Sequence, residues 1–165
     1  TTEVAEVFAY WCGAGAQFDP LVSAWSAKLP ADVKFTYVPA VFNAQDNYPR
    51  AFYAAEATGI LPKTHATVFR AIHLERSLKP TATLDDLAAF YAKHGADAAN
   101  FKSTMESFAV NANLGRARQF AIRSGINHTP TLVINGKYRI NGTSHENQLQ
   151  IADAIIAHER GAATP

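Results

Sequence analysis

Sulfur is scarce in this chain, with one cysteine, Cys12, and one methionine among 165 residues. A lone cysteine excludes an internal disulfide and any cysteine-built metal site. The six histidines, at positions 65, 73, 94, 128, 145 and 158, show no paired metal-ligand spacing. Charge is thin as well, 18% of residues with a net charge of +1, so no global field draws the protein to nucleic acid or to an anionic membrane. No apolar run approaches the ~20 residues of a membrane-spanning helix. Internal repeats, low-complexity tracts and a linker long enough to separate independent domains are also missing. The first residues, Thr1-Thr2-Glu3, show no basic stretch followed by an apolar one. A removed signal peptide would leave the same picture, so the compartment is not readable from them. What is plentiful is apolar side chain, at 48%, ordinary for a globular domain and too much for a disordered chain.

Val4 to Tyr10 reads as a short, mostly apolar strand covered on both faces. Phe18, Leu21, Val22, Trp25 and Leu29 then recur at helical spacing, and Pro20 inside that pattern predicts a kink. Val33 to Val38 reads as a second strand stopped by Pro39. Strand, helix and strand make one βαβ unit with a right-handed crossover. From about Tyr48 to Ser124 the pattern is helical throughout. Tyr48-Pro49 opens a first helix that Gly59 closes, and a second runs from about Lys63 to Leu78. Thr83 and Asp86 form a capping box for a third, ending at His94-Gly95. Phe101, Met105 and Phe108 form an apolar stripe on a fourth, and Leu114, Ala117 and Ala121 mark a fifth that ends at Gly125. Thr131 to Ile134, Asn135-Gly136 and Lys137 to Ile140 then give a two-residue hairpin signal. Leu149, Ala152 and Ile156 mark a terminal helix. The order is βαβ, a helical block, then ββα.

Cys12 falls between the first strand and the first helix, where unpaired N–H groups and the positive end of the helix dipole favour the thiolate, the reactive form. Gly13, Ala14 and Gly15 let the backbone close around the sulfur. A small buried hydrophobe is the alternative description of the same cysteine. Thr129-Pro130 stands at the entrance of the third strand, where proline is tolerated. A cis bond there would expose the backbone of Thr129 to an extended peptide; a trans proline would merely start the strand. Glu6 shares a strand face with Phe8 and Tyr10, so it is either buried, with its proton or a partner compensating, or an edge residue reaching solvent.

Tyr10-Trp11-Cys12-Gly13-Ala14-Gly15 resembles the Trp-Cys-x-x-Cys site of thioredoxins and of the DsbA family of thiol:disulfide interchange proteins, with Gly15 where the second cysteine belongs. Pro20 lies where the helix proline of thioredoxin does. Gly125 to Gly136 resembles the cis-proline loop, and Val133-Ile134-Asn135-Gly136-Lys137-Tyr138 the hairpin, of DsbA proteins. The resemblance implies an α/β thioredoxin fold, residues 1–42 and 118–165, with an inserted helical domain, residues 43–117. It implies a cis Thr129-Pro130 facing Cys12, a buried acid at Glu6, and a second family acid at Asp19, both candidates for proton handling. Trp11, Gly13, Ala14, His128, Thr129 and Pro130 would meet the substrate.

The implied activity is thiol:disulfide exchange on cysteines of unfolded or reduced secreted proteins in the bacterial periplasm, after signal-peptide removal. A membrane re-oxidising partner of the DsbB type goes with it, no cofactor is needed, and the protein is a monomer. Two departures bear on that reading. Ala14 replaces a histidine common in the family, which leaves the thiolate less strongly stabilised; His128 is either a partial substitute or, as the plainer description has it, an exposed loop histidine. Gly15 removes the resolving cysteine, so Cys12 can form mixed disulfides that nothing in the chain resolves. A glutathione-dependent monothiol protein or kappa-type transferase, with glutathione as the mixed-disulfide partner, and a non-catalytic peptide-binding module are the other readings.

Overall fold

The computed structural model describes residues 1–162. The N-terminal apolar run forms β1, Thr2–Phe8, and Glu6, Val7 and Phe8 are all buried. The next elements are α1 (Gly13–Ser26), β2 (Val33–Pro39), α2 (Tyr48–Ala57), α3 (Leu61–His73), α4 (Leu84–Ala92), α5 (Ala98–Met105) and α6 (Phe108–Arg123). The chain closes with β3 (Thr131–Ile134), β4 (Tyr138–Arg139) and α7 (His145–Ala162). The sheet order is β2-β1-β3-β4. β1 runs parallel to β2, as the α1 crossover requires, and antiparallel to β3, so it is hydrogen-bonded on both sides. Its register sets Glu6 between Tyr37 on β2 and Leu132 on β3.

The hairpin forms where Asn135-Gly136 predicts it. Both residues take positive φ, 52° and 66°, the conformation of a type I′ turn. β4 is shorter than the run of 137 to 140, because only Tyr138 and Arg139 pair with β3. Two large cores result. One lies between the sheet, α1 and α7, around Phe18, Val22, Leu132, Ile134 and Ile156. The other fills the helical block around Phe52, Phe69, Leu87, Tyr91 and Phe101, and takes in Phe8 and Tyr10 from the sheet side.

The capping box is present, with Asp86 N–H donating to Thr83 Oγ1 at 3.0 Å and Thr83 N–H to Asp86 Oδ2 at 3.1 Å. α6 runs unbroken across position 117/118, and residues 163–165 lie outside the described residues.

Three local expectations need correction. Leu21 is 37% exposed while Asp19, two residues earlier, is buried at 6%. α1 turns the Gly15, Phe18, Asp19 and Val22 side inward, because it packs on both α3 and α7. α3 ends at His73 rather than Leu78, since Arg76 adopts φ 57° and the N–H groups of Ser77 and Leu78 fold back onto the Ala71 carbonyl. Phe108 does not continue the Phe101–Met105 stripe. A break at Glu106-Ser107 ends α5, Ser107 caps α6 through the Val110 N–H, and Phe108 is left 88% exposed.

That difference is measurable. Phe101→Ala is expected to cost about 3–5 kcal/mol of stability, whereas Phe108→Ser should stay within about 0.5 kcal/mol. Urea unfolding of both variants reads the contrast.

Candidate active site

Cys12 is the N-cap of α1, with extended backbone angles, φ −85° and ψ 119°, and its side chain makes no capping hydrogen bond. The sulfur is therefore free of the helix's own N–H groups while lying beside their positive end. Two backbone bonds pin the residue: its N–H donates to Ala9 O at 3.1 Å, and its carbonyl accepts from Ala16 N–H at 3.0 Å. Its thiol is partly buried and meets the carbonyl of Thr129 at 3.5 Å, across 117 residues of sequence. The Thr129–Pro130 bond is cis, as the resemblance implies, and Pro130 is buried. Strand end, helix start and proline loop thus converge on one sulfur.

The neighbours divide into two groups. Gly13 and Ala14 are exposed on the first turn of α1, and Gly15 is buried beneath it. A Cβ placed on Gly15 would stand 3.7 Å from Cys12 Cβ, 3.4 Å from Ala9 O and 3.6 Å from the Phe69 ring, contacts that ordinary packing allows. Trp11 is 37% exposed, and its indole N–H donates to Asp46 Oδ2 at 2.8 Å. Asp46 also accepts the Tyr48 N–H at 3.0 Å. Partial burial pushes the Asp46 carboxyl up, and these two hydrogen bonds oppose the rise. Trp11, Phe42, Asp46 and Pro80 wall a cleft of about 460 Å³. His128 is exposed and its Nδ1 contacts Asn127 Oδ1 at 2.8 Å, so it is a loop histidine turned to its own neighbour.

Beneath the site lies a buried polar cluster. Glu6 is 1% exposed and its Oε1 has no hydrogen-bond partner. Burial, and secondly the nearby Asp19, push its carboxyl well above the usual range. Burial, then Asp19 and Glu6, likewise push the Tyr37 phenol up. Asp19 Oδ1 approaches His65 Nε2 at 3.4 Å, and both side chains are 8% exposed. That separation is within ion-pair reach, but the alignment does not make a hydrogen bond, and neither atom has another partner. His65 Nδ1 lies 2.7 Å from the Tyr10 hydroxyl. His73 Nε2 lies 2.7 Å from the Tyr10 carbonyl, so α3 holds Tyr10 at both ends.

Sequence reasoning singled out Glu6 and Asp19 but passed over His65, His73 and Asp46. For His65 a signal existed: it interrupts the apolar stripe of Leu61, Val68, Phe69 and Ile72 on a helical period. Asp46 stands in a polar loop with no periodicity to mark it. Among the described residues no group of three or more histidine, cysteine or acidic side chains could hold a metal ion, and no helix is long and apolar enough to cross a membrane.

A carboxyl raised by folding binds its proton more tightly in the folded than in the unfolded state. Its effect is therefore harmless near pH 4 and lowers stability as pH rises above the ordinary value of about 4.5. Glu6→Gln, which keeps the shape without the charge, is expected to raise Tm at pH 8 by about 2–4 °C or more, with no gain at pH 4. Thermal unfolding at the two pH values tests this.

Comparison with known proteins places this geometry. The DSBA-like thioredoxin domain matches residues 3–152. The thiol:disulfide interchange protein DsbA of Azotobacter vinelandii is 42% identical over 164 residues, 97% of this chain and 76% of the relative. Its counterpart in Pseudomonas aeruginosa is 39% identical over 165 residues, 98% of this chain and 77% of the relative. The crystal structure of the oxidoreductase DsbA from Xylella fastidiosa superimposes with a TM-score of 0.95 at 37% identity, covering 98% of this chain and 87% of that one. The Pseudomonas aeruginosa DsbA structure gives a TM-score of 0.91 at 37% identity, with 100% and 87% covered. With its fold and nearly its whole length matched, the chain belongs to the DSBA-like thioredoxin-domain family and is a DsbA-like thiol:disulfide interchange protein.

Proposed function

We propose that this chain is a single-cysteine thiol:disulfide oxidoreductase that captures cysteines of secreted proteins as mixed disulfides through Cys12 and does not resolve them. The observation that carries this reading is the position of Cys12 Sγ, at the N-cap of α1 and 3.5 Å from the Thr129 carbonyl. The Cys12 thiolate attacks one sulfur of a partner disulfide. A new S–S bond forms, the old one breaks, and the departing thiolate takes a proton from solvent. Release in a dithiol enzyme follows attack by a second cysteine, and position 15 is where that sulfur belongs. The Cβ separation of 3.7 Å falls inside the 3.5–4.5 Å typical of disulfides.

The first turn at Gly13 and Ala14, the rim at Trp11, and the loop His128-Thr129-Pro130 surround the sulfur and form the substrate-facing surface, with the Thr129 backbone available to an extended peptide. Glu6 handles protons beneath it. Residues 1–42 with 118–165 act as the thioredoxin-fold unit and 43–117 as the helical insert. Unfolded or reduced secreted proteins in the bacterial periplasm are the partners: one that carries a disulfide is attacked directly, and a reduced one attacks Cys12 Sγ once oxidised glutathione has made a Cys12–glutathione disulfide, with the glutathione thiolate leaving. The DsbB-type membrane re-oxidant that the family implies acts on a dithiol, so it belongs to the Gly15→Cys form, since Cys12 has no second thiol in this chain. The protein works as a monomer without a cofactor.

The test compares three proteins: this chain, Cys12→Ala and Gly15→Cys. Mass spectrometry after exposure to a disulfide-containing model protein is expected to show a long-lived adduct on this chain and none on Cys12→Ala. Pre-oxidised Gly15→Cys, supplied with oxidised glutathione, should oxidise a reduced model protein through many turnovers, while this chain stays at the Cys12→Ala background. Equal turnover by this chain and Gly15→Cys would overturn the assignment of position 15. Adducts with glutathione but none with the model protein would favour a glutathione-dependent monothiol protein instead.

A further inference from the structure

Among the described residues, the buried side chains include the acids Glu6, Asp19 and Glu159 but no lysine or arginine. Glu159 accepts an ion pair from Lys137, with Nζ at 2.7 Å from its Oε1. Glu6 and Asp19 have no such cation, each is buried with a carboxyl oxygen that has no hydrogen-bond partner, and Asp19 acts on Glu6 electrostatically; two buried carboxylates that feel each other cannot both carry charge without large penalty. The side chain that reaches Asp19 from the helical block is His65. It stands edge-on to Phe8, with ring centroids 5.0 Å apart, and to Phe69 at 5.4 Å, and lies 4.2 Å from the Tyr37 ring. These contacts leave the imidazole little freedom to turn.

The hydrogen bonding decides which ring nitrogen carries the proton. The Tyr10 phenol is fully buried, and that burial, above all, pushes its ionisation well up, so it keeps its O–H. The partner of this hydroxyl is His65 Nδ1 at 2.7 Å. If Nδ1 bore a proton, the Tyr10 O–H would be left buried and unpaired, which costs about 1–3 kcal/mol. Nδ1 is therefore the acceptor, and the ring proton sits on Nε2. Nε2 faces Asp19 Oδ1 at 3.4 Å. A lone pair in that position would repel the carboxyl oxygen, whereas an N–H attracts it. A small rotation of the Asp19 carboxyl completes the bond, and the two atoms have no other partner.

We propose that His65 is the positioning residue of the buried acids: fixed as the Nε2–H tautomer by the Tyr10 hydroxyl, it presents a donor to Asp19 and so leaves the proton of the Glu6–Asp19 pair on Glu6. The groups facing the pair are Tyr37 on β2, Tyr10 after β1, His65 on α3 and, beyond Tyr10, Tyr91 on α4. His65 is the one among them that can offer a hydrogen-bond donor to a carboxylate and also carry positive charge. The helical block thereby decides which of two acids in the thioredoxin-fold unit is the proton store. The proposal deepens the reading of Glu6 as the proton-handling residue and needs nothing of Gly15 or of mixed disulfides. Its test uses the isolated, reduced protein and no substrate, so its failure and the failure of the proposed activity are distinguishable.

Long-range ¹H–¹⁵N NMR on the unaltered protein at pH 7 reads the tautomer directly. The Nε2–H form of His65 is expected; the Nδ1–H form overturns the proposal. Carboxyl ¹³C titration of Glu6 and Asp19 then follows the proton in His65→Phe and His65→Gln. In His65→Phe the Glu6 midpoint should fall by about one pH unit, the scale of one lost hydrogen bond to a charged group, as Asp19 takes a larger share of the proton. In His65→Gln, whose amide nitrogen can stand near the Nε2 position, most of that shift should be recovered. A Glu6 midpoint in folded His65→Phe matching the unaltered protein would sink the idea, as would a shift that Gln fails to recover. Should His65→Phe not fold, the tautomer and the Gln variant, which should then match the unaltered protein, still decide.

Discussion

Everything at this site depends on β1 being paired on both sides. A strand hydrogen-bonded to β2 and to β3 has no free edge, and its side chains face packed layers. It therefore ends in a fixed place and direction, and the residues that follow inherit that placement. Cys12 arrives at the N-cap of α1 because Ala9 and Ala16 hold its backbone between strand end and helix start. β3, on the other flank of β1, begins directly after the proline loop, so the same pairing brings Thr129 to the sulfur. The double pairing also buries Glu6, whose position on β1 leaves it no route to water.

The helical block is more than an appendage to that sheet. α3 reaches back to Tyr10 through His65 at the hydroxyl and His73 at the carbonyl, and Phe69 packs against both Tyr10 and the space above Gly15. The segment Tyr10-Trp11-Cys12 is thus clamped from the block while being aimed from the sheet. Trp11 adds a third tie through Asp46, in the loop that leads into α2. Rigid support of this kind holds a reactive group in one geometry, and its parts come from elements far apart in sequence. The buried polar cluster belongs to the same clamp, since Tyr10 and His65 are members of both.

Much of this was legible in the sequence because its signals are local. The apolar density of Val4 to Tyr10, the Thr83–Asp86 box and the Asn135-Gly136 turn each act over a few residues; the box and the turn form as read, and the strand forms two residues earlier, as Thr2–Phe8. Cys12 between strand and helix, Thr129-Pro130 before a strand, and Glu6 in an apolar run were equally visible. The misreadings share a cause. Leu21, Leu78 and Phe108 fit a helical period, but whether a periodic residue faces a core depends on which neighbours pack there and on where a helix breaks. A turn at Arg76 and a cap at Ser107 changed the phase in two of the three cases.

The sequence by itself determined the strand–cysteine–helix order, the absence of any second thiol, and the presence of an acid where a strand would bury it. Those follow from residue identity and near-neighbour spacing, which chain connectivity alone preserves. The tertiary structure decided who meets whom: that the Thr129 carbonyl, not His128, faces the thiol, and that Asp19 turns inward. It also decided that a histidine from the inserted helices, 46 positions beyond Asp19 in the chain, approaches that acid. Such meetings are set by how packed layers close over one another, and no local pattern records the far side of an interface.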